Sequence, residues 1–284
     1  MTRSAGSAID RAQSSVNLSL VITTYERPDA LAAVLASVGA QHTMPSEVIV
    51  ADDGSAGSTA AVIASWTTRL PCPLLHCYQP KQGFRLTRLR NMATAATMGD
   101  YLLFVDGDMI LHPDFIGDHA LLARRGYFTQ GVRVLMSAEL TARLLQRAAV
   151  TGGVQIPRFH NSGLGGLRRL YLLRSLTLAR CLRTIGNRCI AIKGCNQAFW
   201  RSDLLRVNGF DEAIEGWGPE DKELCARLTH AGVRRQSLLA GGIAFHLAHP
   251  PAARSQLASN LGVLAATLAT GRIRCERGLD GHLR

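Results

Sequence analysis

Long apolar runs are missing from this chain of 284 residues, and no stretch approaches the ~20 residues a membrane-spanning helix needs. The N-terminus through Val16 is polar, with scattered Ser and Ala. It lacks the apolar stretch of a signal peptide, so residues 1–16 are expected as a frayed tail. Charged residues make up only 19% against 47% hydrophobic, which excludes a disordered chain and predicts a packed globule. The seven cysteines form no C-x-x-C pair and are odd in number. That argues against a zinc site or a disulfide framework and for free thiols in a reducing cytoplasm.

Acidic residues are scarce in one place. The net charge is +11, and the segment from Arg124 to Arg188, with twelve arginines and the single acid Glu139, accounts for all of it. The remainder is balanced. Such a segment suits nucleic acid, an anionic membrane surface or a phosphorylated ligand. Because 29 of the 32 basic residues are Arg, an arginine-rich composition is the alternative source. Aromatic residues are sparse there (Tyr127, Phe128, Phe159 and Tyr171), which makes nucleic acid the weaker partner.

What is present is alternation. Leu18–Thr23, Glu47–Ala51, Leu74–Tyr78 and Tyr101–Val105 read as strands, the last fully apolar. Pro28 opens a helix to about Ala40 with Leu31, Val34, Leu35 and Val38 at helical spacing. Helices are also expected up to about Arg69 and from Leu86 to Met98. Connections this short demand a parallel sheet with right-handed crossovers, hence an α/β fold with a mostly parallel central sheet flanked by helices. Farther on, Gly126–Met136 predicts a strand, 138–149 a helix, Thr151–Gly166 a break and Leu167–Arg183 a Leu/Arg helix. A terminal helix near 255–269 should end at Gly271. Ligands of open α/β sheets sit at the carboxyl ends of the strands. That rule sends Thr23-Thr24-Tyr25-Glu26, Asp52-Asp53 and Asp106-Gly107-Asp108 to one rim.

Asp106-Gly107-Asp108 reads either as a polar turn or as a hard-oxygen site for Mg²⁺ or Mn²⁺ bridging a diphosphate. Asp52-Asp53-Gly54-Ser55 is a turn or a carboxylate for a nucleobase, with Tyr25 as a stacking face. Arg85, entering a helix, suits phosphate, whereas Arg90 fits a solvated helix face. In Glu215-Gly216-Trp217-Gly218-Pro219-Glu220-Asp221, two glycines let an indole project from a tight loop, and carboxylates stand ready for hydroxyls. Asp221 is either a helix cap or a general base. His246 and His249 follow a strand-like Ile243-Ala244-Phe245 and compete as a third metal ligand.

Ser19-Leu20-Val21-Ile22-Thr23-Thr24-Tyr25, Asp52-Asp53-Gly54-Ser55, Asp106-Gly107-Asp108 and Gly216-Trp217-Gly218-Pro219-Glu220-Asp221 occur in that order. As a set the chain resembles family 2 glycosyltransferases of GT-A fold, with a C-terminal part similar to the galactosyltransferase and chondroitin-polymerase type. The resemblance covers roughly 18–116 and 190–250. It implies an inverting, nucleotide-sugar-dependent enzyme with Mn²⁺ or Mg²⁺. By it, Thr23, Tyr25, Glu26 and Asp53 belong to base recognition (usually of uracil), Arg85 contacts the nucleotide and Asp106 sits near the ribose. Asp108 and His246 bind the metal, Asn196, Trp217 and Glu220 line the acceptor side, and Asp221 is the catalytic base. Two positions depart from the pattern. Glu26 stands where many members have Asn, and Lys222 where relatives often carry another acid.

The division that follows is a donor-binding half over 17–125, a basic, partly helical insertion over 126–189, an acceptor half over 190–251 and a C-terminal helix and tail over 252–284. The expected partners are a nucleotide-sugar and a glycan or lipid-linked glycan. Arg168, Arg169, Arg180 and Arg183 share one sector of a helical wheel. They suggest docking on an anionic leaflet at the inner face of the cytoplasmic membrane, or a grip on a phosphorylated acceptor. The competing classes are a nucleotidyltransferase, a nucleic-acid-binding protein and an inactive nucleotide-sugar-binding scaffold. The first would need a Gly-rich phosphate loop after the first strand, where Thr23-Thr24-Tyr25-Glu26-Arg27-Pro28 stands instead. The intact set of acids argues against the last.

Overall fold

Strand β1 (Leu18–Thr24) is buried along its whole length because it has a core on each face. Leu20 and Ile22 join one core and Val21 the other. The computed structural model describes residues 16–158, 161–165, 172–188 and 191–283. After β1 come α1 (Pro28–Gly39), β2 (Glu47–Asp52), α2 (Gly57–Thr67), β3 (Leu74–Tyr78), α3 (Leu86–Ala96) and β4 (Tyr101–Asp106). Next are β5 (Met109–Leu111), α4 (Phe115–Leu122), β6 (Tyr127–Gln130), β7 (Val132–Leu135), α5 (Ala138–Thr151) and α6 (Leu176–Leu182). The chain continues with β8 (Asn196–Trp200), α7 (Arg201–Val207), α8 (Glu220–His230), β9 (Arg234–Ser237), β10 (Ile243–His246) and α9 (Leu257–Thr270).

Seven strands form one sheet in the order β3-β2-β1-β4-β8-β6-β9. The first four are mutually parallel, as the alternation required, and β8 runs antiparallel to both β4 and β6. Helix α1 packs Leu31, Val34, Leu35 and Val38 into the core below Leu20, and α3 packs Leu89 and Ala93 into the opposite one. Burying each such side chain contributes about 1.5–3 kcal/mol. A second sheet, β5-β10-β7, sets β10 beside the turn that follows β4.

The single strand expected over Gly126–Met136 is two strands in different sheets, broken at Gly131. A Cβ on Gly131 would fall on the Asn196 side chain, so the chain can pass between the sheets only without one. The basic segment therefore begins inside the frame, with β6 and β7 in the sheets and α5 adding Leu140 and Leu144 to the α1 core. Of the Leu/Arg helix expected over 167–183, α6 forms the end. Arg168 and Arg169 lie outside the described residues, as does the tail through residue 15. Arg174 faces inward, with Nη2 2.7 Å from Asp118 Oδ1. Six described cysteines are free thiols; Cys189 lies outside the described residues. Helix α9 ends at Gly271, whose φ of +66° makes the left-handed cap.

Candidate active site

The parallel register brings the strand ends together. Thr23 is paired with Asp106 across β1 and β4, and Thr24 with Asp52 across β1 and β2. Thr23 Oγ1 donates to Asp106 Oδ1 at 3.1 Å, and the backbone N–H of Asp53 donates to Thr24 O at 3.0 Å. Gly107 N–H reaches Thr23 O at 2.6 Å, an approach that a Cβ, only 2.8 Å from that oxygen, would prevent. Above this rim lies a cavity of about 840 Å³ lined by Thr23, Tyr25, Asp53, Asp106, Asp108 and residues of the C-terminal half. Asp53 is 2% exposed. Its Oδ1 accepts from Gln79 at 2.6 Å, while Oδ2 has no hydrogen-bond partner and lies 3.6 Å from Lys81 Nζ. Tyr25 is 43% exposed, with Lys81 Nζ 3.4 Å from its ring centroid.

Strand β10 brings His246 to Asp108, and the segment that follows it brings His249. His246 Nε2 lies 3.6 Å from Asp108 Oδ1 and His249 Nε2 3.2 Å from Oδ2. Ligands about 2.1 Å from one ion and roughly 90–110° apart stand about 3.0–3.4 Å from each other, close to this spacing. Burial, with Asp106 adding to it, pushes Asp108 up to about 6, and burial pushes His246 down to about 4. Oδ1 of Asp108 is buried without a hydrogen bond. His249 Nδ1 is 2.7 Å from Pro250 O, which can only accept, so Nδ1 carries the proton. With the proton on Nδ1, Nε2 is the ring nitrogen that faces the Asp108 carboxylate and could offer a lone pair to a cation between them. The residues present fit a divalent metal.

Opposite the rim stands the first turn of α8. Asp221 is 9% exposed, and its carboxylate accepts from Lys222 N–H at 2.7 Å and from the backbone of Gly194. It does not cap the helix, whose N-cap position is Pro219. Burial raises its pKa above the usual aspartate range. Helix α8 is fixed from beneath by a buried network. Arg227 pairs with Glu223 at 2.8 Å and donates to Val207 O and Gly209 O, and Glu223 accepts from Thr267. Removing one member of such a network costs about 3–5 kcal/mol.

Arg90 joins the two halves. It is 2% exposed, with Nη2 3.3 Å from Asp106 Oδ1 and Nη1 3.4 Å from Glu220 Oε1. Burial pushes Glu220 up to about 7, although Arg90 pulls it down. A carboxyl with a raised pKa holds more protons folded than unfolded. Its contribution to stability is present below the ordinary Glu range and is lost as pH rises through about 7. Glu220→Gln should therefore lose less melting temperature between pH 5 and pH 8 than the wild type in matched buffers. An equal loss would assign the titration to other groups.

The loop between α7 and α8 presents Trp217, 39% exposed, with the guanidinium of Arg254 4.6 Å from its ring centroid. Asn260 of α9 donates to Glu215 O at 2.7 Å, and Gly216 N–H donates to Phe84 O at 2.8 Å, so the loop is tied on both sides.

Three expected site residues are not brought to the cavity. Arg85 turns away and donates to Pro80 O at 2.8 Å. Glu26 adopts φ +49° and its carboxylate accepts from Ala56 N–H at the start of α2. Asn196 is fully buried, with Nδ2 on Val132 O and Gly242 O and Oδ1 on His119. Every polar atom of that side chain is used in joining the two sheets, so it faces no acceptor. Asn196→Ala should accordingly cost about 2–3 kcal/mol in urea denaturation, from the partners left unpaired. Conversely, Arg90 belongs to the site and not to solvent. The signal was its place on the stripe Leu86, Leu89, Arg90 and Ala93, which faces the sheet. Arg27, Arg133, Lys193 and Arg254, which also line the cavity, had no comparable signal.

Residues 19–191 match the family model described as glycosyl transferase family 2, and residues 185–250 match that described as the N-terminal domain of galactosyltransferase. The chain is 27% identical over 250 residues to a chondroitin synthase of Escherichia coli, covering 82% of this chain and 35% of that protein. It is 27% identical to the validoxylamine A glucosyltransferase of Streptomyces hygroscopicus subsp. limoneus, covering 76% and 48%. The chain thus spans half or less of the length of these relatives. Among solved structures, the mannosyltransferase PcManGT from Pyrobaculum calidifontis, in complex with GDP-Man and Mn²⁺, superposes with a TM-score of 0.58 at 15% identity. That match covers 91% of this chain and 65% of the other, and it shows the GT-A fold.

Proposed function

Since the chain belongs to glycosyl transferase family 2, we propose that its cavity moves a sugar from a nucleotide-sugar donor to a hydroxyl of a glycan or lipid-linked glycan, with inversion. The observation that carries this reading is the placement of Asp53, Asp106 and Asp108 on one wall of a single cavity that also contains Asp221 and Trp217. Tyr25 stacks on the base, and the unpartnered Oδ2 of Asp53 accepts an N–H of that base. Asp106, held by Thr23 and Arg90, receives the ribose. Asp108 with His246 and His249 would hold Mn²⁺ or Mg²⁺. A divalent cation there supplies positive charge against the departing nucleoside diphosphate.

Asp221 takes the proton of the acceptor hydroxyl as that oxygen attacks the anomeric carbon. The new C–O bond forms as the bond to the diphosphate breaks on the opposite face, so one displacement inverts the configuration. No covalent intermediate and no nucleophilic Ser or Cys is required. Trp217 gives the acceptor sugar a face on which to lay its C–H groups, and Glu220 takes a hydroxyl.

The test is a panel of UDP- and GDP-sugars assayed for nucleoside diphosphate release with Mn²⁺, with Mg²⁺ and with chelator. Metal-dependent turnover of at least one donor is expected. RNA binding without turnover of any donor would favour the nucleic-acid reading instead. Among the described residues no helix is long and apolar enough to cross a membrane. The same reading gives the basic segment the task of meeting an anionic leaflet. Liposome binding unchanged by charge reversal of Arg168, Arg169, Arg180 and Arg183 would remove that assignment.

A further inference from the structure

Three cations line the same cavity as Asp221, and the reaction proposed above uses none of them. Lys222 follows Asp221 directly, and its backbone N–H holds the Asp221 carboxylate at 2.7 Å. Lys193 precedes Gly194, whose backbone is another donor to that carboxylate. Arg254 lies over Trp217, the aromatic face of the same end of the cavity. All three line the cavity together with Asp221 and Trp217. Two further cations of the cavity serve its acids: Arg90 lies between Asp106 and Glu220, and Arg27 is 3.7 Å from Asp108. Among the described residues neither Lys222 nor Arg254 forms an ion pair with an acid.

A neutral sugar can accept N–H groups of Lys222 and Arg254 on its hydroxyl oxygens, but it brings no counter-charge to them. A fixed positive charge beside the base also opposes its work, since Lys222 and Arg90 both hold the Asp221 carboxyl down against the effect of burial. An anion arriving with the acceptor would neutralise that charge and restore basicity as the complex forms. The Arg254 guanidinium lies over the Trp217 ring, and the fork of N–H groups it carries suits a carboxylate or phosphate.

We propose that Lys193, Lys222 and Arg254 form a subsite for an anionic substituent, carboxylate or phosphate, borne by the acceptor sugar near its attacking hydroxyl. The subsite selects by attracting the charged acceptor and by giving Lys222 and Arg254 a counter-charge that a neutral acceptor does not bring. This inference rests on the transferase reading and names its acceptor class.

The experiment compares acceptors in matched pairs, using whichever donors the wild-type protein turns over. The carboxylate arm is p-nitrophenyl β-glucuronide against p-nitrophenyl β-glucoside; the phosphate arm is glucose 6-phosphate against glucose. The charged member of at least one arm should raise donor turnover with a kcat/KM at least tenfold above its neutral partner, and the arm that responds identifies the anion. The preference should shrink between low and high salt. In Lys222→Glu, a change at an exposed position, the charged-to-neutral ratio should fall at least tenfold. The ratio cancels any effect of the substitution on Asp221 itself, and Arg254→Ala should lower it in the same direction. Neutral members used as well as charged ones, or donor turnover that no charged member accelerates, would overturn the subsite. Absence of turnover with every donor would instead remove the transferase reading beneath it.

Discussion

Asp221→Asn should lower kcat by about 10²–10⁴-fold while donor binding stays near the wild-type level. The substitution keeps the shape of the side chain and an oxygen for the Lys222 and Gly194 N–H groups, so α8 and its buried Arg227–Glu223 support are undisturbed. What it removes is the capacity to hold a proton. Burial raises the Asp221 pKa, which moves the carboxylate toward the range where a base is both ionised and strong enough to act. Asp221→Glu serves as the geometric control. It keeps the chemistry but displaces the oxygens by about a bond length, and misplacement of that order costs roughly 10²-fold. Donor affinity measured by calorimetry beside single-turnover transfer separates the two effects. Near-normal transfer by Asp221→Asn would exclude this residue as the base.

Much of the donor side was legible because it is local. The parallel strands β1, β2 and β4 are buried on both faces, so they appear as short apolar runs, and the polar clusters that follow them must share one rim. What the sequence hid depends on partners far along the chain. Strand β8 enters the sheet antiparallel between β4 and β6, almost a hundred residues after β4, and its residues Asn196 to Trp200 carry no run or alternation that announces a strand. The family resemblance alone assigns Asn196 to the acceptor side, yet its amide is consumed at the junction of the two sheets. Arg90 shows the reverse. An arginine on a helix is ordinarily solvated, and only Asp106 and Glu220, from two distant segments, make its burial tolerable. Arg85, which has the better local credentials for phosphate, finds a backbone carbonyl instead.

Asp108→Ala should lower donor turnover by about 10²–10³-fold and raise the Mn²⁺ concentration needed for half-maximal rate, whereas His246→Ala and His249→Ala should each cost less. Asp108 is the shared member of the cluster: both imidazoles approach it, one at each oxygen, and it carries the formal negative charge. The two histidines differ in their support. His246 is the more buried, and its lowered pKa keeps it neutral and able to donate a lone pair. His249 is the more exposed, but its Nδ1–H bond to Pro250 O fixes the tautomer that a ligand requires. His249→Gln, which loses that ring and its fixed lone pair, should therefore fall between wild type and Asp108→Ala in its metal requirement. Arg27, 3.7 Å from Asp108 Oδ2, provides the competing account, in which the carboxylate serves an ion pair and no metal. On that account Asp108→Ala would cost the same rate in chelator as in Mn²⁺. On the metal account the wild type collapses in chelator to the level of the variant, and the difference between them survives only when the ion is supplied.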